Sequence, residues 1–419
     1  MLTECFYSPN PINMRLAILL YLSIVASSVT ARTTDAIIVD ADTGTPLPKA
    51  SVFDINGNLI DICSDNGHLP YISASDYPIS ISYVGYETAS VGFPTPDSIR
   101  LHELAYELPE ITIVAGKRDV LYMTGYIREY STLSTLTDTV MLFREKMVDF
   151  MIPARRHKRF SGWKRPRLLA SKSYYRFSTA YGMDSVSDYY RQHFTWSDWI
   201  GIADRISIPL NLQSETIATD TIFGKYNTAS IWRKVNNNMY VDIDVLSDTT
   251  GQKWLPNLSA ILHSHTDFDR ISLKYTFSDI DKSTLLADNI ASMSFNIESK
   301  GRGLNLFMVF PKDEPYYVNT YAELYITDKE YISIAQARKL EQNRPDYSAT
   351  DIRYPDDAPT LQPSIQMLIS RVDSIDHDSR RLEIQPDERL AGKGKGRPRF
   401  SIIGLVKSAA RKIKEFTGV

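Results

Sequence analysis

The segment Leu262-His263-Ser264-His265-Thr266-Asp267-Phe268-Asp269-Arg270 sets imidazoles and carboxylates at alternate positions. On an extended strand, successive side chains point to opposite faces, so His263, His265, Asp267 and Asp269 would share one side. Imidazole and carboxylate together are a donor set for zinc and similar ions, which would make His263 and His265 the ligands of a metal-dependent hydrolase. Metal sites ordinarily draw ligands from several elements and orient them with outer hydrogen bonds. The competing reading is therefore a solvated strand face, or a loop after Pro256-Asn257.

A second concentration of chemistry is cationic. Arg155, Arg156, His157, Lys158, Arg159, Phe160, Trp163, Lys164, Arg165 and Arg167 fall within one stretch. Cations meet phosphates and rings stack on bases, so in a cytoplasmic chain this pattern suits nucleic acid. For an exported chain no nucleic acid is expected, and lipid or lipopolysaccharide phosphates are the matching anions, gripped by bidentate guanidinium. The plainer reading is a solvated loop that pairs with the chain's own acids.

The third feature lies at the carboxyl-terminal end. Within residues 401–419, Ile402, Leu405, Val406, Ala409, Ile413 and Phe416 share a narrow helical face, with Lys407, Arg411 and Lys414 opposite. A basic amphipathic helix can lie in a membrane interface, dock on a partner, or fold back on its own chain. It follows Gly392-Lys393-Gly394-Lys395-Gly396-Arg397-Pro398-Arg399, which cannot bury a core.

Other catalytic templates are missing from the sequence. It contains no G-x-S-x-G elbow, no H-E-x-x-H, no phosphate-binding G-x-x-x-x-G-K-[ST] and no dinucleotide G-x-G-x-x-G after a strand. The expectation leans away from an enzyme, and no cofactor is expected.

The elements that must position these groups belong to a chain of 419 residues, long enough for two or three cores. Lys plus Arg total 47 against 50 Asp plus Glu, so any basic surface is local. The 25 Tyr and 16 Phe favour strands with large, half-buried side chains. Met14-Arg15, the apolar run Leu16–Ala26 and Val29-Thr30-Ala31 read as a secretory signal over residues 1–31, with Met14 the better start. The run is shorter than the about 20 apolar residues of a spanning helix. Cys5 would leave with the signal, so the mature chain would hold Cys63 alone and no internal disulfide.

Residues 32–107 read as a small β-sandwich. Turn chemistry recurs at Asp42-Thr43-Gly44, Asn56-Gly57, Asp65-Asn66-Gly67 and Asp76-Tyr77-Pro78. Asn56-Gly57 predicts a type I′ hairpin joining Ser51–Ile55 to Leu59–Cys63, and Ile79, Ile81 and Tyr83 alternate with Ser80 and Ser82. Asp54-x-Asn56-Gly57-Asn58 has its Gly too early and no closing Glu for a calcium loop. The segments Thr43–Val52, Ser64–Gly67 and Ile81–Glu87 resemble the carboxypeptidase regulatory-like domain, a transthyretin-like β-sandwich of exported Gram-negative proteins. Ser64 and Leu69 stand where that family usually has Thr and Phe. The resemblance implies a packing or docking module without peptidase chemistry. Residues 108–118, beginning Leu108-Pro109-Glu110, are similar to the connector that follows this domain in TonB-dependent receptors, which would make an outer-membrane protein or receptor a partner. Their β-branched run reads as an intramolecular strand or linker, or as an added strand on a partner's sheet.

Residues 119–343 read as a larger antiparallel α+β body. Ser292–Glu298 alternates and should form a hairpin with Leu304–Phe310; Tyr317–Ile326, Met239–Leu246 and Asp269–Phe277 also alternate. Thr327-x-x-Glu330 predicts a helix start, running to about Gln342, and Asp184–Trp199 reads as a helix. Val140–Ile152 fits either period. Residues 344–400 read as a linker, mostly extended, with room for a short helix over Leu361–Val372. The whole predicts a mainly β, exported, non-catalytic binding or scaffolding protein of the periplasm or outer-membrane surface. An outer-membrane β-barrel is the second reading, since Tyr-rich alternating segments also suit spanning strands.

Overall fold

The structure is a computed structural model that describes residues 36–104, 112–113, 119–155, 160–182, 184–190, 194–214, 216–225, 227–235, 237–251, 266–280, 284–302, 315–343, 352, 354–355 and 358–375. The signal segment, His263 and His265, Leu304–Phe310 and the helix over 401–419 lie outside them.

The amino-terminal part is built from short strands between the expected turns. Strands β1 (Ile37–Asp40) and β6 (Ser98–Leu101) pair in parallel, while β3 (Leu59–Ile62), β2 (Ser51–Phe53), β4 (Ile79–Ser82) and β5 (Ala89–Val91) form an antiparallel sheet in that order. Between them lie Ile38, Leu47, Val52, Ile79, Ile81 and Ile99, all essentially inaccessible. The β2–β3 turn has positive φ at Gly57 but not at Asn56, so it is not type I′. Asp54 sets it instead, its Oδ1 accepting from Asn56 N and Asn58 N at 2.8 Å each. This is an Asx turn, and its acceptor is spent on backbone amides.

The rest is dominated by one antiparallel sheet. Its spatial order is β11 (Asp184–Ser187), β10 (Trp163–Thr179), β9 (Asp138–Pro153), β8 (Val120–Ser134), β19 (Pro315–Ile332), β18 (Ile290–Arg302), β16 (Thr266–Phe277), β15 (Asn238–Asp244), β14 (Thr228–Val235) and β13 (Thr219–Phe223). A short side pair joins β12 (Arg205–Ser207) to β17 (Thr284–Leu286). The connector contributes β7 (Thr112–Ile113), which pairs in parallel with Glu330 and Tyr331 of β19. That backbone is thus used inside the molecule, on a part of β19 that β18 does not reach. The protein is mainly β, with two α-helices among the described residues, α1 (Ile334–Gln342) and α2 (Pro363–Asp373).

Alternation along β8 and β9 separates two faces. One carries Leu121, Met123, Ile127, Val148 and Phe150 and is filled by the crossing segment with Trp196, Ile200, Ile202 and Ile206. The other carries Tyr126, Arg128, Tyr130, Phe143 and Glu145. It is covered by the amino-terminal sandwich, by α2 and by residues around Ala358. Both faces of the central strands are therefore buried, and the side that reads as polar is a second interior.

Four expectations change. Asp184–Trp199 is not a helix: Asp184–Ser187 pairs with Tyr175–Ser178, and Trp196 is sealed in the core with Nε1 donating to Ser299 Oγ at 2.9 Å. Thr327-x-x-Glu330 starts no helix, because β19 runs on to Ile332 against Val120–Gly125 after a bulge beyond Ile326. The cap is Ser333, whose Oγ accepts from Gln336 N while Gln336 Oε1 accepts from Ser333 N. Ser292–Glu298 belongs to a strand of 13 residues whose partners are β16 and β19. Finally, the extended linker changes in part: the short helix allowed over Leu361–Val372 is present as α2, and it is packed, with Ile365, Leu368 and Val372 buried, on the order of 5 kcal/mol of apolar burial.

Candidate functional site

Among the described residues of the cationic stretch, Trp163, Lys164, Arg165 and Arg167 are engaged by the chain's own groups. Arg155 is exposed at the end of β9, while Arg156, Lys158 and Arg159 lie outside the described residues. Strand β10 turns Arg167 onto buried Asp149, with Nε to Oδ1 at 2.8 Å and Nη2 to Oδ2 closing a bidentate pair. Its Nη1 donates to Leu340 O at 2.9 Å, and its guanidinium lies 4.1 Å over the Trp163 ring. Trp163 Nε1 also donates to Asp149, at 3.0 Å. Lys164 pairs with Asp204, and Arg165 stacks 5.7 Å from the Trp199 ring. Arg167, Trp163 and Asp149 therefore clamp α1 to the sheet, as a pairing with the chain's own acids requires.

Of the alternating cluster, Asp267 and Asp269 are on β16 and exposed, and Lys300 Nζ donates to Asp269 Oδ1 at 2.6 Å. Among the described residues no group of three or more His, Cys, Asp and Glu side chains is placed to hold a metal ion.

The structure assembles a different constellation, at the seam between the sandwich and the large sheet. Glu323 is its hub. It accepts from Arg128 Nε, from Tyr321 OH at 2.7 Å, from Tyr325 OH at 3.1 Å and, across the seam, from Ser82 Oγ at 3.0 Å. Arg128 Nη1 reaches Pro359 O at 2.5 Å, so one ion pair joins three parts of the chain. Burial alone would raise the Glu323 carboxyl, but the Arg128 charge and these hydrogen bonds hold it below its ordinary value.

Beside it, Tyr83 OH donates to Asp242 Oδ2 at 2.7 Å and accepts from Arg233 Nη2 at 3.2 Å. Lys274 lies 4.2 Å over the Tyr83 ring and 3.9 Å from Asp242, and donates to Lys49 O. Burial lowers Lys274 to about 8, against the pull of Asp242. Asp242 is raised by its own burial, against Lys274, Tyr83 and Arg233. Cys63 is buried nearby, its thiol pushed up to about 12 by burial. It is a packing residue, far from thiolate chemistry. Gly85 lets the Tyr83–Tyr86 turn approach: its φ is +86° and a Cβ there would stand 3.3 Å from the Tyr240 ring.

A cleft of about 870 Å³ opens between the sandwich and strands β13–β16, and it touches this buried set only at Lys49 and Cys63. The sandwich supplies Lys49 and Asp65, the β13–β14 turn supplies Phe223 and Lys225, and Asp244 and Arg270 close the other side. Lys49 pairs with Asp65 at 3.5 Å and Arg270 with Asp61 and Glu298 at 3.3 and 3.2 Å. Phe223, 74 % exposed, forms an apolar lip. Under the cleft, buried Asn296 has no hydrogen-bond partner on Oδ1 or Nδ2 and faces a small cavity with Ser272, Ser294 and Lys274. The arrangement can bind a polar ligand through paired donors and acceptors.

A second buried group lies on the opposite face, where Lys146 Nζ meets Glu129 at 3.2 Å, Asp198 at 2.8 Å and Ser197 Oγ. Lys146, Ser197 and Glu129 are fully inaccessible, so this is a tie for the crossing segment and not an accessible nucleophile.

Asp269 and Arg270 of the alternating cluster line the cleft, whereas Arg128, Asp242, Lys274, Tyr321, Glu323 and Tyr325 carry no motif. Their signal is the alternate side of Tyr317–Ile326, where Tyr321, Glu323 and Tyr325 sit too aromatic for a wetted face.

No family model and no curated protein matches this chain. A solved structure described as "Lipid-protein interactions in lipovitellin" is similar over 52 % of this chain and 26 % of that one, at 9 % identity and a TM-score of 0.26. The chain thus spans about a quarter of that structure's length, and a likeness of this size identifies no shared fold.

Proposed function

We propose that the chain is an exported, non-catalytic binding or scaffolding protein of the periplasm or outer-membrane surface, with the seam cleft as its contact site. The observation that carries the reading is the cleft at the seam: both parts of the chain wall it, and Lys49, Asp65, Lys225, Asp244, Asp269 and Arg270 line it with charges of both signs. Paired charges and a flanking aromatic suit recognition of a polar surface, whereas proton transfer needs a group free to titrate in contact with substrate. The resemblance of residues 32–107 to a carboxypeptidase regulatory-like docking module supports the same reading, as does the secretory pattern of residues 1–31.

The barrel alternative has one point in its favour, since strands of 13 to 18 residues are long enough to cross a bilayer. Against it, both faces of the central strands hold buried charges under the chain's own protein, Glu129 and Lys146 on one and Arg128 and Glu323 on the other. A spanning barrel presents a continuous apolar band to lipid. In addition, β11 and β13, the two ends of the strand order, do not pair with each other. Among the described residues no helix is long and apolar enough to cross a membrane. Carbonate extraction of cell envelopes separates the two: release is expected, and retention in the pellet would favour the barrel.

A further inference from the structure

The seam buries two carboxamides that the protein itself does not fully meet. Asn296 of β18 is 4 % exposed, and Gln362, the residue before α2, is 7 % exposed. Among the described residues nothing bonds to Asn296 Oδ1, Asn296 Nδ2 or Gln362 Oε1. Buried polar atoms of folded proteins are nearly always met, by protein or by ordered water.

Each carboxamide faces its own small cavity, and Tyr321 lines both. Ser51, Ser272, Ser294 and Lys274 line the first with Asn296; Ser82, Arg128 and Glu323 line the second with Gln362. The strand register sets this arrangement. Ser51 and Ser82 are paired neighbours on β2 and β4, while Asn296 is paired with Ser272 of β16 on one side and Tyr321 of β19 on the other. Two adjacent serines of the sandwich therefore stand over adjacent polar positions of the large sheet.

Size and chemistry select the occupant. Each cavity has room for about one water, and cavities lined by polar groups hold water where apolar ones stay dry. A metal ion would stand against the Lys274 ammonium in the first and the Arg128 guanidinium in the second. An anion would meet carboxamide oxygens that need donors and, in the second, the Glu323 carboxylate. Water both donates and accepts.

We propose that two ordered waters complete the seam, one bridging Asn296 to Ser51 of the sandwich and the other bridging Gln362 to the Tyr321 hydroxyl. That hydroxyl donates to Glu323, which leaves its oxygen to accept from the second water. The sandwich, the large sheet and the segment before α2 are thus joined by water as well as by the Glu323 hub. Lys49 and Ile62 line both the first cavity and the cleft, so they form the partition between this water and bulk solvent. Lys49 is held at a φ of +54°, with its carbonyl accepting from Lys274 Nζ.

The test is a crystal structure of the full chain in which ordered water is resolved. A peak is expected within hydrogen-bond reach of Asn296 Oδ1, and another within reach of Gln362 Oε1. In solution, magnetic relaxation dispersion of water oxygen counts long-held waters. Ser272→Val fills the first cavity, so this variant should lose the signal of about one such water. Absence of a peak at either position overturns the proposal, as does a peak that gains anomalous signal in crystals soaked in bromide, which would mark an anion. An undiminished count in folded Ser272→Val overturns the Asn296 site. The crystal measurement uses the native chain and decides the matter should Ser272→Val fail to fold.

Discussion

Glu323 and Lys274 are both buried at the seam, and both make stability rise with pH, in separate pH windows. Glu323→Ala leaves the Arg128 guanidinium buried without its carboxylate, so it should lower the unfolding free energy by about 3–5 kcal/mol in urea titrations. A loss under about 1 kcal/mol would mean that the hub adds little. The folded carboxyl titrates below its ordinary value, so its stabilisation is fully present above the unfolded pKa and is lost as pH falls through the folded one. Lys274, lowered to about 8 by burial, likewise binds fewer protons folded than unfolded, but in the alkaline range. The stability of the native chain relative to Lys274→Met should therefore rise from about pH 8 and level off near the ordinary lysine value of 10.5. Taking the difference cancels the tyrosines and Cys63, whose folded values lie above their ordinary ones and oppose the trend. A flat difference across that range would place Lys274 in contact with water.

At the scale of elements, α2 is the clearest departure from a linker. Leu368→Ala removes a buried side chain from the cluster that also holds Phe53, Tyr130 and Phe143, and should cost about 2–5 kcal/mol by the same titration. Gly57→Ala reaches α2 from the other side. Its φ is +82° and the added Cβ would stand 3.0 Å from Ile365 Cδ1, so strain and clash should together cost at least about 1 kcal/mol, while Gly44→Ala, strained but open, should cost less. The apolar alternation of Met239–Leu246 and Tyr317–Ile326 was legible in the sequence because the core face of a strand keeps a strict period of two. The Asn56-Gly57 turn was legible as a hairpin but not in type, since the Asp54 side chain chose the geometry. Thr327-x-x-Glu330 and Ser333-x-x-Gln336 are equally good caps locally. Pairing of β19 with β8, a contact across some 200 residues, decided between them.

For the whole molecule, the mainly β, antiparallel class followed from composition and alternation, whereas the site did not. A sheet face with Tyr, Glu and Arg reads as wetted when its cover is a separate module elsewhere in the chain, and only the packing of residues 36–104 on that face turns it into a seam. Of the chemistry-bearing stretches that stand out locally, one gives Arg167, which clamps α1; from the other, Asp269 pairs with Lys300 and lines the cleft with Arg270, while His263 and His265 lie outside the described residues. The proposed role depends most on export, because it decides which ligands the cleft can meet. Intact mass of the protein recovered from fractionated cells tests this directly. The account predicts a chain beginning at Arg32 in the periplasmic or carbonate-released envelope fraction; a chain that retains residues 14–31 in the cytosolic fraction would contradict it.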